Sequence, residues 1–264
     1  MTLSALTSTE EAQWQREGFF IRPQFCATDV TDAMVDDVIE ISRAGAAEST
    51  LIQEGSLIFP EANLRKQAEA AGAPAEERVA KVFRLHRRPA FHGFIASKPV
   101  VQLLQSLLGG PVDCFLSQFI FKNPGAWGQP WHQDSLYFPF DRKPQVGLWL
   151  AASEATLENG CLHVLPGSHR EPVHTHIPDQ RPGANYGYFE IVDHDMSRAI
   201  PVTMKPGDLL VFHSHLMHRS TDNVSRGRRA AMVYHGALRG TRDLSPKPSA
   251  VIDWMELPDH AEGA

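Results

Sequence analysis

The chain has 264 residues, with 25 Lys and Arg against 31 Asp and Glu for a formal net charge of −6, and 42% of it is hydrophobic. That length suits one large β-sandwich or barrel as readily as two small domains, and the mild acidity argues against nucleic-acid and anionic-membrane partners. Cys26, Cys114 and Cys161 are odd in number and lack C-x-x-C spacing, so neither a disulfide framework nor a zinc–thiolate site is indicated and a reducing, cytoplasmic compartment is expected. No apolar run approaches ~18 residues and the N-terminus has no basic segment followed by an apolar one, which argues against a membrane span and against secretion. Thirteen histidines remain to be explained.

In chain order, Ser8-Thr9-Glu10-Glu11 has capping-box spacing and predicts a helix that stops at Gly18. Phe19 to Ile21 read as a short strand ended by Pro23, and Thr28 or Asp29 as the cap of a second helix with Met34, Val38 and Ile41 on one face. Residues 68–77, rich in Ala, Glu and Gly, read as surface. Ser97 predicts the cap of a third helix, with Pro99 in its first turn and Gly109-Gly110 at its end.

The period then changes. Residues 112–122 predict a strand with Cys114, Leu116, Gln118, Ile120 and Lys122 on one face and Phe115, Ser117, Phe119 and Phe121 on the other. Further short strands are predicted at 145–152, 161–165, 200–204, 208–213 and 229–237, separated by Asn159-Gly160, Pro166-Gly167 and Pro206-Gly207-Asp208 turns. The expected fold is α+β: a double-stranded β-helix (jelly-roll, cupin-like) barrel with flanking N-terminal helices. One domain over 1–264 is expected, helical over about 1–110, barrel over about 111–240, then a C-terminal tail.

His132 and Asp134 in Trp131-His132-Gln133-Asp134 project the same way from a strand or its end. With one more histidine they make the 2-His-1-carboxylate facial triad of non-heme Fe(II) sites. His213, His215 and His218 compete for the third place, and periodicity alone does not rank them.

Three ordered blocks narrow this. His132-Gln133-Asp134 with Tyr137-Phe138-Pro139-Phe140, then Asn159-Gly160-Cys161 through Pro166-Gly167-Ser168-His169, then Phe212-His213 through Arg229 together resemble the phytanoyl-CoA dioxygenase family of Fe(II)/2-oxoglutarate oxygenases. Trp14 to Val38 resembles the family's opening. The resemblance implies metal ligands His132, Asp134 and His218, with His213 and His215 in reserve. It implies Arg229, eleven residues after His218, as the partner of the 2-oxoglutarate distal carboxylate, with Arg228 as competitor. Ser220 would share that carboxylate, and Gln118, Lys81, Tyr137 and Trp149 would line the cosubstrate pocket.

The implied cofactors are Fe(II), 2-oxoglutarate as cosubstrate and O2. The implied reaction is hydroxylation of a small-molecule C–H bond with release of succinate and CO2. Asp134 favours hydroxylation over halogenation, because related halogenases carry a small residue there. Desaturation, cyclisation and epimerisation stay open, as do the substrate and the oligomeric state.

Trp127, Trp131, Phe138 and Phe140 suggest an apolar wall, and Arg84, His86, Arg87 and Arg88 a basic cluster that could meet an anion. Asn159-Gly160 and Pro166-Gly167 read as turn chemistry, and His174 and His176 as loop residues. The competing readings are a cupin-like metalloenzyme that does not use 2-oxoglutarate and a non-catalytic ligand-binding barrel. Arg229 with Ser220 argues against the first, and open coordination positions argue against the second.

Overall fold

The structure is a computed structural model that describes residues 6–44, 51–53, 55–61, 72–182 and 187–260. Helix α1 (Ser8–Glu17) is capped one residue earlier than the sequence suggests. Glu10 N donates to Thr7 Oγ1 (3.2 Å) and Thr7 N to the Glu10 carboxylate (2.8 Å). That carboxylate also pairs with Arg22 at 2.7 Å, so one acid caps the helix and ties it to strand β1 (Phe19–Arg22). Helix α2 (Thr28–Ala44) buries Met34, Val38 and Ile41.

Strands β2 (Leu51–Gln53), β3 (Ser56–Pro60) and β4 (Val79–Phe83) come next, and only Lys81 among them carries a sequence prediction. Helix α3 (Pro89–Ile95), seven residues opened by proline, is too short to leave a periodic signal, whereas α4 (Lys98–Leu108) follows Ser97 and ends at Gly109 as read. Of residues 68–77, 68–71 lie outside the described residues; in the rest, Glu76 is buried against Arg43 at 2.6 Å.

The remaining strands are β5 (Val112–Lys122), β6 (Val146–Ala151), β7 (Leu162–Val164), β8 (Ile177–Pro178), β9 (Phe189–Glu190), β10 (Ile200–Val202), β11 (Leu209–His213), β12 (His218–Ser220), β13 (Arg229–Leu238) and β14 (Met255–Glu256). All pairings are antiparallel, in a large sheet ordered β1-β11-β6-β13-β5-β4-β3-β2 with β14 also on β5, a small sheet β10-β7-β12, and the β8–β9 hairpin. The N-terminal third therefore supplies strands as well as helices to the large sheet.

Period-two alternation divides the core in two. Leu148, Leu150, Val211, Met232 and Tyr234 face outward and pack with α2, α3 and α4; Tyr234 stacks on Phe94 and donates to the Phe91 carbonyl at 3.1 Å. Trp149, Ala151, Leu210, Phe212, Ala231 and Val233 face inward against Leu162, Val164 and Val202 of the small sheet. Two sheets face to face around an apolar interior make the α+β double-stranded β-helix.

The alternation proposed for β5 fails at its start. His235 pairs with Leu116 but Gly236 pairs with Cys114, so Phe115 is an extra residue in a bulge. One extra residue reverses every side chain before it. Cys114 consequently joins the outer core, while Phe115 packs inward with Leu116, Phe138 and Phe140.

Candidate active site

His132 and His218 form an antiparallel bridge with backbone hydrogen bonds both ways, at 2.9 and 3.0 Å. The pairing sets their rings 4.1 Å apart, centroid to centroid. Each ring is aimed by its own backbone. His132 Nδ1 donates to the Pro130 carbonyl (2.8 Å) and His218 Nδ1 to that of Leu216 (2.9 Å), which leaves both Nε2 lone pairs inward.

Asp134, opening a short 3-10 turn (Asp134–Leu136), sets Oδ1 3.5 Å from His132 Nε2 and 3.7 Å from His218 Nε2. The three donor atoms all lie within 4.8 Å of one another and all three residues are buried. His213 lies instead against Trp14 and His169, and His215 against the Glu171 carbonyl. Of the three competing histidines, His218 is the one beside His132 and Asp134.

Sequence reasoning passed over His235. Its Nε2 meets Asp134 Oδ2 at 2.8 Å, freeing Oδ1 for the imidazoles. The signal was available, since His235 has the parity of Arg229 on β13. Burial pushes the Asp134 carboxyl up, but His218, His132 and His235 outweigh it and hold the group well below the usual carboxylate range. Burial, with His132 adding to it, lowers His218 to about 4 against the pull of Asp134, so its ring is neutral near pH 7.

The other end of the same cavity is cationic. Arg229 and Lys122 are 1% and 4% exposed, on the inward faces of β13 and β5. Lys122 Nζ donates to Ser220 Oγ (2.8 Å) and the Thr221 carbonyl (2.5 Å), and Arg229 Nη2 to the Gly160 carbonyl (3.3 Å). Neither pairs with a carboxylate among the described residues. Arg229 lies over the Trp149 ring at 5.3 Å. Arg229 Nε and Nη1 and Trp149 Nε1 are buried without a partner among the described residues. Burial drives Lys122 well below its ordinary range, with Arg229 adding to the effect, and lowers Arg229 to about 10. Two desolvated cations and three unfilled donors fit an anion with a planar carboxylate.

Gly160 is the residue that permits this. At φ +84° it lies so close to Thr221 and the Lys122 stem that a Cβ would overlap both. The Asn159-Gly160 turn thus shapes the cationic end. Arg228 points the other way, over Phe121 at 4.5 Å and onto Asn123 Oδ1.

Between the two ends, Lys81 Nζ donates to Gln129 Oε1 (3.3 Å), and the Gln129 amide nitrogen meets His132 Nε2 at 3.0 Å, the lone pair a metal would take. Burial lowers Lys81 to about 8, opposed by Asp134. Gln118 and Tyr137 line the cavity, and Tyr137 Oη accepts from Phe189 N at 3.3 Å. The cavity holds about 280 Å³; much of its remaining wall is apolar, with Phe59, Phe83, Phe138 and Ile252, while Glu61, Tyr188 and Ser249 add polar groups.

Trp127 belongs to this lining, but Trp131 and Phe140 do not. Trp131 carries Arg219 on its ring and Phe140 packs into a neighbouring apolar cluster. Most of the basic cluster upstream is also committed elsewhere, although Arg84 Nε is buried with no hydrogen-bond partner among the described residues. Arg87 pairs with Asp253 (2.8 Å), Arg88 with Asp37 (2.5 Å), and His86 Nδ1 meets Ser117 Oγ.

The phytanoyl-CoA dioxygenase (PhyH) family model matches residues 14–231. The chain belongs to the phytanoyl-CoA dioxygenase family. It is 34% identical over 158 residues to phytanoyl-CoA dioxygenase 1 of Oryza sativa subsp. japonica, covering 56% of this chain and 52% of that one. It is 26% identical over 266 residues to phytanoyl-CoA dioxygenase domain-containing protein 1 of Bos taurus, covering 88% and 90%. The chain thus spans about half the length of the rice relative. Among solved structures, EctD from S. alaskensis with 2-oxoglutarate and 5-hydroxyectoine superposes with a TM-score of 0.71 at 18% identity, covering 98% of this chain and 87% of that one. This likeness shows a shared fold over nearly the whole chain. Among the described residues, no helix is long and apolar enough to cross a membrane.

Proposed function

We propose that the protein is an Fe(II)- and 2-oxoglutarate-dependent dioxygenase that hydroxylates a C–H bond of a small, largely apolar molecule. The observation that carries this reading is the union, in one cavity, of the His132–Asp134–His218 cluster with the desolvated Arg229–Lys122 pair. A metal alone would explain the first group of residues, and an anion alone the second. A chelating keto acid with a distal carboxylate accounts for both, and EctD was solved with 2-oxoglutarate bound.

When bound, Fe(II) with 2-oxoglutarate and O2 supplies the oxidising power for C–H hydroxylation, with succinate and CO2 released. The chain's residues do the rest. His132, Asp134 and His218 would hold the metal on one face and leave positions open. Arg229, with Ser220 and Lys122 beside it, would fix the distal carboxylate, and Trp149 Nε1 is available to donate to the same group. Lys81, Gln118 and Tyr137 would border the cosubstrate between these ends. The carboxylate at position 134 takes the place where a halide would otherwise bind, which favours hydroxylation.

The apolar wall around Phe59, Phe83 and Phe138 would exclude water and hold an apolar substrate near the metal. Three free thiols fit a reducing, cytoplasmic setting, and neither nucleic acid nor membrane is assigned as a partner.

The test is Fe(II)-dependent conversion of 2-oxoglutarate to succinate by purified protein, compared with Arg229→Lys. The lysine keeps the charge but loses the planar fork, so KM for 2-oxoglutarate should rise at least about tenfold, as for loss of a charge-assisted hydrogen bond. Iron-loaded wild type that consumes no 2-oxoglutarate in a broad substrate screen would refute the reading.

A further inference from the structure

A second group of metal-ligating side chains lies outside the cavity. Glu171 follows the turn Ser168–Arg170, His174 comes three residues later, and His194 arrives on the loop after β9. Glu171 Oε2 is 2.9 Å from His174 Nε2 and 3.0 Å from His194 Nε2. The rings stand 5.1 Å apart at 88°, and the three donor atoms lie within 4.8 Å of one another. Their side chains are 38%, 23% and 18% exposed respectively, so water reaches one side of the group.

Hydrogen-bond accounting marks His194. Its Nδ1 lies 3.1 Å from the Asp195 carbonyl, which can only accept, so Nδ1 carries the hydrogen. In the neutral ring Nε2 is then a bare lone pair, yet it faces a carboxylate oxygen that is itself an acceptor. Something positive must stand between them, a proton or a metal ion. A carbonyl behind Nδ1 is also the backing that orients a metal-ligating imidazole.

We propose that Glu171, His174 and His194 form a second metal site, on the outside of the barrel, for a divalent transition-metal ion, Zn(II) foremost. Two imidazoles, one carboxylate and a solvent-filled fourth place are a four-coordinate zinc donor set. Bonds of roughly 2.0–2.2 Å place tetrahedral donors a few tenths of an ångström further apart than the two carboxylate–imidazole pairs stand here, a movement that partly exposed side chains can make.

The site would act as a staple. His174 N donates to Gln133 Oε1 at 2.8 Å and Ile191 N to the Trp131 carbonyl at 2.8 Å. Both ligand-bearing segments therefore grip the stretch that carries His132 and Asp134, and a metal joining them would hold it from behind.

The test is metal content after chelator treatment and equilibrium dialysis against Zn(II). Wild type should hold one more zinc per chain than either Glu171→Gln or His194→Ala, and His132→Ala, altered in the cavity instead, should keep this site. Zinc should also raise the melting temperature of His132→Ala, and that rise should vanish in His132→Ala/His194→Ala. Equal zinc content in wild type and both outer-site variants would overturn the proposal and leave Glu171 as an acceptor for imidazolium rings only.

Discussion

His235 is not one of the three candidate metal ligands, yet its hydrogen bond to Asp134 Oδ2 decides which carboxylate oxygen faces the two imidazoles. Rings of Phe115, Phe138 and Phe212 surround it at 5.8, 5.1 and 6.1 Å, so phenylalanine suits the same environment. His235→Phe should weaken Fe(II) binding by roughly 10- to 100-fold, the usual effect of losing a group that orients a ligand, with the fold intact by circular dichroism. Anaerobic Fe(II) titration measures this, and unchanged affinity would show that Asp134 is held without it. Gln133, between the two ligands, is fully buried and bonds to the Pro172 and His215 carbonyls at 3.0 and 2.9 Å. It is a structural clasp, pointing away from the two ligands that flank it, as alternation expects.

Among elements, β12 is three residues long and carries both His218 and Ser220. Its position depends on Gly128, where a Cβ would overlap the Ser220 backbone carbonyl. Backbone cannot swing aside as a side chain does. Gly128→Ala should therefore displace β12, at a cost of about 1–3 kcal/mol or more, and lower metal and 2-oxoglutarate affinity together. Thermal melting and paired titrations would reveal it; a variant with wild-type affinities would mean that β12 is set by its pairing to β7 alone.

The same strand shows what the sequence could and could not disclose. β5, β6, β11 and β13 were legible because each is long enough to alternate, and that alternation put Trp149, Gln118 and Arg229 on one side. β12 is too short and too polar to register as a strand, so His218 was separated from His213 and His215 by resemblance alone. Phe115 reversed its neighbours because a bulge is set by the partner strand. Lys122, placed from the start on the same face as Gln118, went unrecognised as part of the site because its partners Ser220 and Thr221 are some hundred residues away in sequence.

For the molecule as a whole, three imidazoles, two buried (His86, His218) and one half-buried (His213), link stability to pH. Burial lowers His86 to about 4, His213 to about 3 and His218 to about 4, against about 6.5 in an unfolded chain. Between those values the unfolded chain binds protons that the folded one refuses. Stability is therefore full above about pH 6.5 and falls as the pH drops through the window down to 3–4. Asp134 and Asp253, held below their ordinary range, extend the loss to lower pH with the same sign. Metal-free protein should show a lower urea midpoint at pH 5 than at pH 7.5 with a similar slope, and equal midpoints would mean that these rings are not buried neutral.

The central claim is that one cavity holds Fe(II) on His132, Asp134 and His218 and 2-oxoglutarate between that metal and Arg229. Anaerobic addition of Fe(II) and 2-oxoglutarate tests it most directly, because the chelate gives a weak visible metal-to-ligand charge-transfer band. The band should appear in wild type, be lost in His132→Ala and His218→Ala, and need more 2-oxoglutarate in Arg229→Lys. No band in iron-loaded wild type, or a band that survives in His218→Ala but disappears in His213→Ala or His215→Ala, would contradict it.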